Sequence, residues 1–506
     1  MADSIEPAVE RRASASGDEA DESRLAQFGY QQELKRDWSL THNFGISFSI
    51  ISVITGITTL FGYGLNTGGP AVISVSWIIV SVFTMLVAIA MAEIVSAIPT
   101  SGGPYFWAGM LAPPRWSPFA AWLTGWFNLL GQASISFGLA NLIATAAIVQ
   151  NPDYVPTPAK TIGIYAAVLI SHGVVNTFGV KILRYLNNTS IFLHSVGVTV
   201  LCIAILAKAP KHQPASFVFQ KFYDGTGVDG ADGWSIRASP AYLALCGSLL
   251  TQYTLTGFDA SAHLSEETKK ASWSAPIGVI SSVGFSSLFG FFVIMTYLFS
   301  IQDFDRTLNS QYDQPVLQIF VDIAGERGAL AMFSVIMVCV WHCGLFSMTS
   351  NSRMISKPHF FSKADARFRS PIRAVWLAAT LSFILALPSL GSSHEGPFNL
   401  KGLSRPIAMA ACAWIGTITV VFCLPTANPV TSQTLNYTVV AVGIIGIGAI
   451  LSWVVWAHRW FTGPAEEVTK AMRLGVDLTE PGAFEEKAGE EKIGEKGVKV
   501  SDGSGS

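Results

Sequence analysis

Charge is what this sequence lacks. Only 13% of its 506 residues are Asp, Glu, Lys or Arg, about half the share found in soluble globular domains. Half of the residues are hydrophobic and the mean hydropathy is +0.43, so a soluble domain is excluded and an all-α polytopic membrane protein is indicated. A net charge of −2, with no basic stripe, argues against a nucleic-acid partner. The first forty residues are polar and charged, so no cleavable signal peptide is expected and the first apolar run acts as its own insertion signal. The six cysteines, Cys202, Cys246, Cys339, Cys343, Cys412 and Cys423, all sit inside apolar runs, where cysteine behaves as a small hydrophobe. Neither a disulfide framework nor a metal spacing is visible; Cys339 and Cys343, one helical turn apart, read as packing. There is no phosphate loop and no nucleophile–base pair, so ATP-driven pumping and enzymatic chemistry are both disfavoured, and no cofactor or metal is expected.

What is present is a series of apolar runs. A helix of about 20 apolar residues crosses a bilayer. That rule gives eleven spans, at 44–66, 72–97, 118–149, 160–178, 187–207, 240–263, 274–301, 328–350, 373–390, 404–424 and 434–457. Residues 1–43 and 461–506 are polar tails, expected to be disordered and cytosolic. Lys and Arg cluster in alternate loops: Arg115, then Lys181 and Arg184, then Lys269 and Lys270, then Arg353, Lys357, Lys363, Arg367, Arg369 and Arg373. Asp224, Asp229, Asp232, Asp303, Asp305, Asp313 and Asp322 mark the opposite loops. The positive-inside bias then puts the N-terminus in the cytosol and makes 208–239 an extracellular loop.

Two of the runs resemble each other. The segments 51-ISVITGITTLFG-62 and 252-QYTLTGFDASAH-263 both place a Thr-Gly pair near mid-helix, and Gly56 and Gly257 are separated by a five-span unit. Five is odd, so the second unit is inverted relative to the first. Inverted repeats with interrupted helices at matching positions mark a secondary transporter with its site near the bilayer midplane. Glycine and threonine are weak helix formers, and a break in lipid persists only where a polar ligand or water meets the freed backbone groups. A half-helix N-terminus suits a carboxylate, and freed carbonyls suit an ammonium. A single Thr-Gly is more often helix packing; two in corresponding places favour a site. The repeats run 44–207 (spans one to five) and 240–390 (spans six to nine), with the last two spans in 404–460. A partner for span five, which would be the tenth span, is missing.

The runs 92-AEIVSAIPTSGGPYFW-107, 257-GFDASAHLSEET-268, 349-TSNSRM-354 and 428-NPVTSQTLNY-437 resemble the fungal amino acid/choline transporter family. That family is a branch of the amino acid–polyamine–organocation superfamily and includes GABA and choline permeases. The likeness extends over residues 33–460. It implies a leucine-transporter-type fold with a five-plus-five inverted repeat, uptake of amino acids or related amines, and proton coupling. Two departures stand out. Relatives continue past Met354 with an Ala-Phe-Ala-Arg-Asp-Gly run, where this chain has Ile355-Ser356-Lys357-Pro358. Relatives also carry a tenth span between the counterparts of Gly391 and Pro397.

The expected substrate site lies between the breaks at Thr55–Thr58 and Thr254–Asp259, lined by Thr55, Gly56, Ile57, Thr58, Thr254, Thr256, Gly257, Phe258 and Asp259. Amides near Gly56 would hold a carboxylate and Phe258 would cover the site. Asn128 and Trp341 are further lining candidates, Asn128 as one of a polar pair with Gln132. Glu93, Glu266, Glu267 and His342 are the candidates for gating or coupling, since intramembrane charge is costly and usually functional. For Glu266 and Glu267, a solvated cluster with Lys269 and Lys270 is the plainer reading, an inner gate the sharper one. His172, His194 and His263 also lie in or at the ends of spans; histidine titrates near neutrality, yet a lone membrane histidine is usually a packing residue. The whole describes a proton-coupled, plasma-membrane carrier for amino acids or amines such as GABA. A choline or polyamine permease, and a non-transporting truncated form or sensor, are the alternatives.

Overall fold

A computed structural model describes residues 21, 36, 38–113, 115–178, 180–354, 404–422, 424–431, 438–459 and 461. The expected span 373–390, the gap after it, most of both tails and the loop from Ile355 onward lie outside the described residues. Among the described residues the architecture is helical, with isolated β-bridges and no strand.

The apolar runs become helices because lipid leaves backbone groups no partner but their own segment. The first run is split: α1 (Leu40–Ile51) and α2 (Val53–Asn66) meet at Ser52. Next come α3 (Gly69–Ala97), the short α4 (Gly103–Leu111), α5 (Ser117–Gln150) and α6 (Pro158–Phe178). The fifth run is α7 (Val180–Phe192) and α8 (Val198–Lys208), joined by a π-helical turn at Leu193–Gly197. Two short helices, α9 (Ala215–Gln220) and α10 (Trp234–Arg237), lie in the following loop. The sixth run is α11 (Pro240–Gly247), α12 (Leu249–Thr254) and α13 (Ala260–His263). After it come α14 (Ala271–Ser300), α15 (Phe304–Leu308) and α16 (Pro315–Met354), the last bent at Gly325, where φ is +66°. The described chain ends with α17 (Ser404–Phe422) and α18 (Thr438–Val455).

Among the described residues, six segments are long and apolar enough to cross a membrane: Leu40–Asn66, Gly69–Ala97, Ala159–Phe178, Ile182–Lys208, Ala271–Ser300 and Pro315–Ser352. They differ in position. The central stretch of Leu40–Asn66 is 83% buried, that of Gly69–Ala97 only 39%. The first broken helix is therefore the axis of the bundle, enclosed by α3, α7, α12, α14 and α16, whereas α3 turns Val75, Ile78, Ile79 and Val82 outward, the face expected of a helix against lipid. The main core, with Ile54, Ile57, Phe61, Trp77, Tyr297, Phe320 and Phe333 fully buried, surrounds α2.

Polar contacts tie the bundle at both ends. At one end the Trp38 amide donates to the Glu267 carbonyl at 3.0 Å and the Lys269 amide to the Trp38 carbonyl at 2.9 Å. At the other, Asp224 gathers the loop: its carboxylate accepts from the Thr226 amide and hydroxyl and from the Ser235 amide. Burial acts to raise the Asp224 pKa, but these hydrogen bonds outweigh it and hold the carboxyl below the usual range. The Asn428 amide donates to the Thr226 carbonyl at 2.8 Å and the Val228 amide to the Asn428 carbonyl at 2.9 Å, joining this loop to the segment after α17.

Candidate functional site

The first helix breaks earlier than its Thr-Gly pair suggested. Ser52 takes the left-handed conformation, φ +36° and ψ +70°, one that costs an L-residue with a Cβ roughly 1–2 kcal/mol. Two side chains hold it there: His194 Nε2 lies 2.8 Å and Thr55 Oγ1 2.6 Å from Ser52 Oγ. Thr55 through Thr58 are consequently not the break but the first turns of α2. The amides of Thr55 and Gly56 bond back to the Ser52 carbonyl. Those of Val53 and Ile54 belong to the turn that has no intrahelical partner, the end where a helix attracts negative charge.

The second break is where the sequence placed it. Helical geometry stops after Thr254 and resumes at Ala260, with Gly257 at φ +90°. A side chain at Gly257 would be strained, and its Cβ would stand 2.6 Å from Ile50 Cγ2 of α1. Gly56 serves a different need. Its φ is ordinary, but an added Cβ would lie 2.6 Å from the Thr254 Cα. The two interrupted helices touch, backbone to backbone, at Gly56 and Thr254.

Hydroxyls and amides stitch the halves together. The Ser47 hydroxyl donates to the Phe258 carbonyl at 2.9 Å, and the Ser261 amide donates to Ser47 Oγ at 3.0 Å. Asn43 Nδ2 donates to the Ser261 carbonyl and to Thr268 Oγ1. The thiol of Cys343 donates to the Ile50 carbonyl at 3.0 Å, serving an acceptor that the end of α1 leaves open. The cysteine is thus more than packing, although its neighbour Cys339 lies in the core.

The expected lining residues separate into groups. Thr55, Gly56, Thr254 and Gly257 converge at the two breaks. Thr254 donates its hydroxyl to the Leu250 carbonyl, and the exposed Thr256 donates to the Tyr253 carbonyl at 2.7 Å. Ile57 is fully buried in the main core, Thr58 is buried beside Tyr297, and the Phe258 ring also packs in the core. Asp259 Oδ2 is 3.3 Å from His263 Nε2, while His263 Nδ1 donates to the Ser101 carbonyl at 3.0 Å. Trp341 donates its indole N–H to Ser171 Oγ at 3.0 Å and packs on His172. The Asn128 and Gln132 side chains lie outside the described residues.

Among the gating candidates, Glu93 is buried near the end of α3. His342 Nδ1 donates to the Val338 carbonyl at 2.8 Å, its ring against Trp341. Glu266 is not part of a solvated cluster: it is buried, and its Oε1 accepts from the Ser101 amide at 2.8 Å and the Ser101 hydroxyl at 2.7 Å. Burial raises the Glu266 pKa against those two hydrogen bonds; neighbouring Glu267 adds to the rise and Arg36 opposes it. Glu267, also buried, takes part through its carbonyl, which accepts from the Trp38 amide. Asn43, Ser47, Ser52 and Ser101 were missed in the sequence, and their only signal there is the density of small polar residues in 39-SLTHNFGISFSIIS-52 and 100-TSGG-103.

Long apolar helices packed around a buried, interrupted central one define an integral, multi-pass membrane protein. The sequence pattern of the amino acid permease family covers residues 43–399, and the chain belongs to that family, whose members are transporters and not enzymes. It is 38% identical to an amino-acid permease BAT1 homolog of Oryza sativa subsp. japonica over 521 residues, covering 90% of this chain and 98% of the relative. To the amino-acid permease BAT1 of Arabidopsis thaliana it is 37% identical, covering 88% of this chain and 96% of the relative. To a GABA-specific permease of Saccharomyces cerevisiae it is 29% identical, covering 89% and 86%. The rice alignment, at 521 residues, is longer than the 90% of this 506-residue chain that it takes in, so the relative carries internal residues that this chain lacks.

Proposed function

We propose that the chain is a secondary active carrier for amino acids or related amines such as GABA, driven by protons and working by alternating access. The contact of the two helix breaks at Gly56 and Thr254 carries the reading. The first turn of α2 faces a carboxylate, the carbonyl ends of α1 and α12 face an ammonium, and a molecule spanning both is an amino acid. The GABA-specific relative supports that substrate class. In this reading the end bearing Trp38, Ser101 and Glu266 is cytosolic, in keeping with its Lys and Arg, and the membrane is the plasma membrane. The five-plus-five repeat, one helix short, fits the internal residues by which the rice protein exceeds this chain.

The test is uptake of radiolabelled GABA into proteoliposomes holding the purified full chain, with unlabelled GABA, choline and putrescine as competitors. Saturable uptake suppressed by GABA and not by the other two is expected. Absence of GABA uptake, with saturable uptake of radiolabelled choline or putrescine in its place, would move the substrate class to cations without a carboxylate. No uptake, with activity regained once an apolar span is inserted between Gly391 and Pro397, would make the chain a non-transporting form.

A further inference from the structure

We infer that His194 binds the coupling proton and reports it to the carboxylate site through Ser52 and Thr55. This rests on the proton-driven reading above and adds the residue and the route.

The π turn at Leu193–Gly197 carries His194, and such turns are frequent at functional sites. The histidine is buried and its ring packs on Phe48 of α1. Its Nδ1 lies 2.9 Å from the Ser190 carbonyl. A carbonyl only accepts, so Nδ1 holds a hydrogen in both protonation states; Ser190 Oγ, also near Nδ1, donates onward to Ser49 Oγ. Titration therefore falls on Nε2, which faces Ser52 Oγ at 2.8 Å, with Thr55 Oγ1 a further 2.6 Å on.

The two protonation states orient these hydroxyls oppositely. With Nε2 bare, Ser52 donates to it and Thr55 donates to Ser52, so Thr55 turns lone pairs toward the mouth of α2. With Nε2 protonated, the imidazolium donates to Ser52 and Ser52 donates to Thr55, which leaves the Thr55 hydrogen to donate to a ligand. One proton thus converts Thr55 from acceptor to donor beside the open amides of α2 and adds a positive charge nearby. A carboxylate prefers that state, and by linkage its binding raises the proton affinity of His194 by the same factor. The proton comes from the solution to which the site is open and leaves to the opposite side after the substrate.

Among the described residues, the helices packed on the π turn bring no carboxylate to His194 as a competing counter-charge. No Asp or Glu occurs in α1, α2, α7, α8 or α14. On α16 the groups nearest the π turn are Cys339, His342 and Cys343; Asp322 and Glu326 lie about two and a half turns or more before Val335, the residue that approaches Gly197. The basic groups of the helices packed here, His42, Lys181, Arg184, Lys208 and Arg353, sit toward helix ends, with Arg327 beside the bend at Gly325, and Tyr63, Tyr185, Cys202 and Tyr297 are the other titratable side chains. An imidazolium at His194 has the bound carboxylate as its natural partner.

The test compares wild type, His194→Gln and Ser52→Gly in proteoliposomes with radiolabelled GABA, reading accumulation under a pH gradient, counterflow without one, and the pH profile of GABA affinity. Ser52→Gly permits the left-handed backbone without steric cost and removes the relay hydroxyl, so it decides the matter should His194→Gln fail to fold. In wild type the affinity should fall as pH rises, by up to about tenfold per pH unit, the slope for one linked proton. In either variant we expect the slope to vanish and accumulation to drop more than about tenfold, the loss of that one linked proton, while counterflow remains measurable. A variant that still accumulates GABA with the wild-type pH slope overturns the role of His194 and leaves proton coupling intact. Wild-type exchange that ignores the pH gradient overturns the proton-driven reading itself and this inference with it.

Discussion

The two helix interruptions look alike in sequence and are built differently. At Gly257 the break is intrinsic: four non-helical residues and a glycine at φ +90° form a bend that the local chain favours. At Ser52 a single residue with a Cβ is held left-handed by Thr55 of the following turn and by His194 from a distant helix. A break made by glycine is permanent, whereas one made by hydrogen bonds to a titratable group can respond to it. Under the proposed function, both breaks position substrate and the first alone senses the proton.

The most direct way to break this comparison is to fill the place where the two interruptions touch. Gly56→Leu would drive a side chain into the Thr254 backbone, and a misplacement of that size should reduce GABA uptake by about a hundredfold, with the protein still reaching the membrane. Uptake within a few-fold of wild type would mean that the contact is incidental.

A finer test exchanges the backbone demands. Gly257→Ala forces a Cβ into the left-handed region and against Ile50, and should cost about 1–3 kcal/mol of stability in thermal unfolding. Ser52→Gly removes a strain of roughly 1–2 kcal/mol and loses hydrogen bonds worth about 1 kcal/mol each, so its stability should stay near wild type. Equal destabilisation by both substitutions would erase the distinction between the breaks.

The smallest effect lies at the two ends of the bundle, where carboxylates shift in opposite directions. Asp224 has a lowered pKa, so its contribution is present above the ordinary carboxylate pKa and is lost as pH falls through the lowered one. Glu266 has a raised pKa, so its contribution is full below the ordinary value and is lost as pH rises through the raised one. Protection from hydrogen exchange across 222–236, relative to the intrinsic rate, should therefore fall in acid, and protection across 98–103 and 264–268 should fall as pH rises above the ordinary carboxylate range. In Glu266→Gln the amide oxygen still accepts from Ser101; the second change should disappear and the first remain. Identical pH responses at both ends would contradict this.

The membrane class was legible because it depends on composition: few charges and long apolar runs leave the backbone no stable form but helices in lipid. The helices enclosing the site were legible for the same reason, and the bend at Gly257 because glycine is the residue that takes positive φ freely. The break at Ser52 was not, since serine carries no such preference and its conformation is imposed by a histidine from a distant helix. Nor could the sequence say that Gly56 is needed for closeness and Gly257 for conformation, or that Glu266 meets Ser101 in place of water. By itself the sequence determined that this protein is a bundle of membrane helices with two weak points. Only the tertiary structure decided that those weak points touch and that a buried imidazole adjoins one of them, because contacts between helices far apart in the chain depend on packing, which no local pattern encodes.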